Sequence, residues 1–191
     1  MAAISKTTIE KRPNPFRAAL IMMLNPTAVL KKSVAGIPWP FSLAISGLAF
    51  MLFFMQTGLD LYRIGLKGVG FVVQLSVEGL LFGTLGIAVL AFITWGITWL
   101  FRSKKTLGWV LSAFGLGYCS TLIFAVMGMV FSVFLHWNTS VAFGVSGVLW
   151  ATGPMIASIR EMSRDNTAVS VILATICSGL LLLGWTLLGN A

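Results

Sequence analysis

Charge is what this chain has least of. Only 9% of its 191 residues are Asp, Glu, Lys or Arg, against about a quarter in an ordinary soluble domain. There are five acidic residues and one histidine. The two cysteines, Cys119 and Cys177, sit far apart inside apolar runs, so no Cys-x-x-Cys or Cys/His spacing offers a redox pair or a zinc site. His136, beside Trp137 and Asn138 at the end of an apolar run, has no second metal-ligating side chain near it and reads as an interfacial residue. No Ser-His-Asp set, H-E-x-x-H pair, phosphate-cradling glycine loop or intramembrane aspartate pair is present. The chain is expected to be non-catalytic, with no metal and no cofactor.

What is abundant is apolar. Hydrophobic residues make up 58% of the chain and the mean hydropathy is +0.96. A soluble globule of this size has too much surface to hide such a composition, and disorder requires the opposite one. The fold expected is all-α: a polytopic membrane protein with a bundle of five transmembrane helices, preceded by a short amphipathic cytoplasmic helix. The net charge of +8 would suggest nucleic acid in a soluble protein. Here the basic residues lie outside the apolar segments, where they set topology and meet anionic lipid headgroups, so no nucleic-acid partner is expected.

Long uncharged runs place the spans at about 38–58, 69–100, 107–135, 140–159 and 168–188, each long enough to cross a hydrocarbon core of about 30 Å. The second run exceeds one crossing, and its beginning reads as interfacial or tilted. Residues 35–191 thus form the transmembrane domain and residues 1–34 a basic tail. No small-residue cleavage site follows a short apolar core, so the start does not read as a signal peptide. With the N-terminus inside, eleven basic residues (Lys6, Lys11, Arg12, Arg17, Lys31, Lys32, Arg102, Lys104, Lys105, Arg160, Arg164) fall on the cytoplasmic side and two (Arg63, Lys67) outside. The positive-inside bias therefore supports five crossings and puts the C-terminus outside. In the tail, Phe16, Leu20, Met23 and Leu24 recur at helical spacing beside basic residues, which predicts an interfacial amphipathic helix broken at Pro26. Arg12, Arg17, Lys31 and Lys32 are its candidate contacts to anionic lipid or to a partner's acidic surface.

Glu78 is the one charged residue inside a span. Two readings stand. It lies near the outer interface, solvated or paired with Lys67 or Arg63, or it lies at depth on a proton or cation pathway. Asp60, Arg63, Lys67 and Gln74 are candidates to join it in an outer polar cluster. Gly79, Gly83 and Gly86 give the second span a smooth face, and Gly115, Gly117 and Thr121 do the same for the third. Trp39, Trp137 and Trp185 fall near span ends as in an aromatic belt, while Trp95 and Trp99 share one helix face. Pro154 predicts a kink in the fourth span, with Thr152 and Ser158 placed to satisfy the freed carbonyl.

Certain residues also carry a family likeness. Leu24-Asn25-Pro26-x-x-Val29-Leu30 leads into five spans, the third holds Gly117-Tyr118-Cys119-Ser120, and the fourth holds Trp150 and ends near Arg160 and Arg164. Over about residues 16–189 the chain resembles the Yip family (Ypt-interacting proteins), in its compact prokaryotic-type form. Asp60-Leu61-Tyr62 is followed by Arg63-Ile64 where the eukaryotic branch has Gly-Pro, and Thr121-Leu122 stand where a proline often trails the Gly-Tyr pair. The GTPase-recruiting role of that branch is therefore not carried over. The resemblance implies a non-enzymatic protein of a prokaryotic cytoplasmic membrane. The function expected is that of an accessory, scaffold or assembly component binding lipids, other membrane proteins or itself. The other reading is a small transporter or channel with Glu78 and the Pro154 kink on its pathway.

Overall fold

In a bilayer the backbone must satisfy its own hydrogen bonds, and a helix does so within one segment. The computed structural model describes residues 14–189, and among them there is helix and no strand. Two short helices, α1 (Pro15–Leu24) and α2 (Pro26–Lys32), precede five long ones: α3 (Trp39–Arg63), α4 (Val69–Trp99), α5 (Leu107–Leu135), α6 (Ser140–Met162) and α7 (Thr167–Gly189). All five are long and apolar enough to cross a membrane. They alternate in direction, so α1, α2 and the loops after α4 and α6 gather at one end, called here the basic end. The loops after α3 and α5 form the far end.

The central helix is α3. Of its most apolar window, 61% is buried, against 22% for α4 and for α7, so α3 is wrapped by the bundle and α4 and α7 form its wall. Phe50, Phe53 and Phe54 of α3 are fully buried. Phe50 meets Tyr118 and Phe82, and Phe53 stacks on Trp185 at 4.8 Å. Trp185, expected in an aromatic belt, instead turns inward, and its indole N–H donates to Thr57 Oγ1 at 2.9 Å.

Small residues let the helices close up. A Cβ added at Gly79 would lie 2.5 Å from the Phe50 carbonyl oxygen, and one at Gly83 would lie 2.5 Å from that of Ser46. Gly115 meets the Ser42 backbone in the same way. Gly117 does not, since its Cβ would make only ordinary contact with Pro154 at 3.7 Å.

Three helices depart from regular geometry. A π turn occupies Phe82–Gly86 in α4 and another Ser140–Val145 in α6, while α5 is interrupted at Tyr118. Pro154 stands inside α6. Ser158 donates to the carbonyl of Pro154 itself at 2.8 Å and Thr152 to that of Val148 at 3.4 Å, so neither serves the Trp150 carbonyl that the proline frees.

Helix ends moved where tertiary partners exist. α3 runs to Arg63, five residues past the expected limit, because Asp60 and Arg63 are both engaged by the loop between α5 and α6. α4 is one continuous helix of 31 residues, roughly 46 Å at 1.5 Å per residue, longer than one crossing of about 30 Å needs.

Candidate functional site

At the far end, two charged residues of α3 hold the loop between α5 and α6. Asp60 Oδ2 accepts the backbone N–H of Thr139 at 3.0 Å and of Ser140 at 2.9 Å, capping the start of α6. Arg63 donates to the carbonyls of Ser132 at 2.6 Å and Trp137 at 2.9 Å, capping the end of α5. An anion at a helix start and a cation at a helix end both complement the macrodipole. The two side chains also approach each other at 3.6 Å. His136 takes a left-handed backbone (φ 57°) in the turn they hold. Beside the clamp, Thr57, Asp60, Leu61, Ser140 and Trp185 line a cavity of about 190 Å³.

The expected outer polar cluster divides into separate parts. Lys67 lies over the Phe71 ring, 4.4 Å from its centroid. Glu78 pairs with neither Lys67 nor Arg63. Its Oε1 accepts from Gln74 Nε2, one turn earlier on α4, at 2.8 Å. Gln74 is exposed and Glu78 half-buried on the outer wall of α4. Gly79, the next residue, presses on Phe50 and Phe54, which puts this pair level with the middle of α3. The sequence places Glu78 on the same helix as Gly79 but does not say that the glycine face turns inward and leaves the carboxyl outside.

The basic end is knitted by one acid. Glu161 of α6 meets Lys31 of α2 at 3.7 Å and Lys105 at 3.5 Å. Lys105 also covers the Trp109 ring at 4.5 Å, and its carbonyl accepts the Trp95 indole N–H at 3.0 Å. Trp99 stays exposed.

The short helices lie against this end of the bundle. Asn14 Oδ1 caps α1 through the N–H of Phe16. Asn25 Oδ1 caps α2 through the N–H of Ala28, with Pro26 at the first helical position, where no amide is lost. α1 buries Ala18, Ala19 and Met22 against α5 and α6. The alanines permit close approach and Met22 fills the contact, while Phe16 is 69% exposed, Leu20 57% and Leu24 88%. Arg17, Lys31 and Lys32 are exposed beside them. Arg12 lies outside the described residues. Among the described residues, no three His, Cys, Asp or Glu side chains gather where they could hold a metal ion.

These features define the class: an α-helical integral membrane protein of five spans. No protein-family model matches the chain, and no curated protein or solved structure matches it.

Proposed function

We propose that this protein is a non-catalytic accessory or scaffold component of a prokaryotic cytoplasmic membrane, binding anionic lipid and partner proteins through its basic end. The observation that carries this reading is the outward stripe of α1. Phe16, Leu20 and Leu24 are exposed along one side of α1, Phe16 also resting edge-on against Phe41 of α3, and Arg17 on α1 and Lys31 and Lys32 on α2 are exposed as well. Apolar side chains flanked by basic ones suit the boundary between acyl chains and anionic headgroups. The likeness to compact Yip-family proteins agrees with it. The basic end is then the cytoplasmic one, and the C-terminus lies outside.

The test is purification in mild detergent with mass spectrometry of bound lipids and proteins, for wild type and for the combined Arg17→Gln, Lys31→Gln, Lys32→Gln variant. Anionic lipid or a stoichiometric membrane partner should fall severalfold in the variant. Equal recovery from both would sink the proposal. A second reading, transport, rests on the carboxyl of Glu78 lying level with the middle of α3. Its pathway would have to run along the outer wall of α4, between chains. Unchanged proton or cation flux in Glu78→Gln proteoliposomes would remove it.

A further inference from the structure

Gln74 and Glu78 sit on the lipid-facing wall, where polar side chains are most costly unless another polar group covers them. Glu78 follows α4 to the level of Phe50 and Phe54, roughly 15–20 Å of helix from either end of α3. The one hydrogen bond they share, 2.8 Å long, uses one amide hydrogen and one carboxyl oxygen. The second amide hydrogen, the Gln74 carbonyl and the other Glu78 oxygen have no partner among the described residues. Around them Gly70, Gln74, Val77, Leu81 and Leu85 follow one another at steps of three or four, the spacing of a helix-packing seam. All five are exposed, and a Cβ at Gly70 would meet nothing within 4 Å.

We propose that a second copy of this chain covers this seam, α4 against α4 about a twofold axis along the membrane normal. Self-complementarity selects a copy over another protein. A twofold axis along the normal sets Gln74 level with Gln74 and Glu78 level with Glu78 of the two copies, so each Gln74 amide stands one turn, about 6 Å of rise, from the partner copy's Glu78 carboxyl, the offset the same two side chains already bridge along α4. Depth selects it as well, because a copy inserted in the same orientation carries its own pair at the same level of the bilayer. Interhelical hydrogen bonds of this kind hold spans together where no hydrophobic drive exists between them. The inference goes beyond the basic-end reading and does not depend on it.

The experiment is crosslinking in native membranes with a short bismaleimide. Val77→Cys reports on the seam, and Ile176→Cys on α7 is the control, since the two positions are 52% and 51% exposed. Both native thiols are buried and common to all variants. Val77→Cys should give a dimer at least tenfold more abundant than Ile176→Cys. Adding Gln74→Leu with Glu78→Leu should abolish it, whereas Glu78→Gln, which keeps a donor and an acceptor, should preserve it. Retained helical circular dichroism shows that the leucine variant is folded. Equal crosslinking at the two positions, or crosslinking indifferent to the leucines, overturns the inference. So does a Val77→Cys adduct to a different protein, an outcome that leaves the basic-end reading standing.

Discussion

Asp60 and Arg63 illustrate how charges near a span end can serve the fold. Each makes two hydrogen bonds to backbone that no helix can satisfy internally. Asp60→Ala removes the α6 cap and leaves two buried N–H groups, so it should lower unfolding stability by about 1–2 kcal/mol. Thermal unfolding in mild detergent reads this, and an unchanged midpoint would refute the capping role. Arg63→Lys keeps the charge but cannot reproduce a planar fork that reaches two carbonyls at once. It should lose part of the same stability, and a loss as large as that of Arg63→Ala would show that fork geometry is the essential feature. At the basic end the lysines are more exposed than Glu161. Glu161→Gln should therefore cost under about 1 kcal/mol, and less as salt rises.

At the scale of the element, the glycines of α4 divide into two kinds that sequence alone does not separate. Gly79 and Gly83 face backbone at 2.5 Å, whereas Gly96 has nothing within 4 Å. Alanine at Gly79 or Gly83 should destabilise the α3–α4 pair by about 1–3 kcal/mol through overpacking. Alanine at Gly96 should be neutral or add up to about 1 kcal/mol through helix propensity. Midpoints of chemical or thermal unfolding for the three variants decide this, and equal effects at all three would contradict the packing. α1 shows the same dependence on neighbours. Its helical period was legible, yet the face that docks carries Ala18, Ala19 and Met22, the two alanines letting it approach α5 and α6 closely.

At the scale of the molecule, the charges sort by end. Together with the proposed orientation, this predicts that an impermeant maleimide added outside intact cells labels Leu66→Cys and not Ser103→Cys. The reverse pattern would invert the topology and move the basic platform to the outside. The bundle around α3 also explains why two walls are so open. α4 and α7 each bury only 22% of their apolar windows, which leaves surface for lipid and, on α4, for the second copy.

The sequence by itself determined the number of crossings, their approximate limits and the sorting of charge between ends. Those properties follow from how many consecutive residues lack charge and from the fixed thickness of the bilayer, both local along the chain. The glycine face of α4 was also legible, because helical periodicity sets which residues share a side. Only the tertiary structure decided what lies opposite each side. It bound Asp60 and Arg63 to the α5–α6 loop, some seventy residues away, and separated them from Lys67 and Glu78. It turned Trp185 inward to Thr57, left Gly117 without a close contact and held Gln74 and Glu78 on the outer wall. Each outcome depends on which helices become neighbours, and in a bundle of uniformly apolar spans that is set by side-chain shape and a few hydrogen bonds rather than by hydropathy.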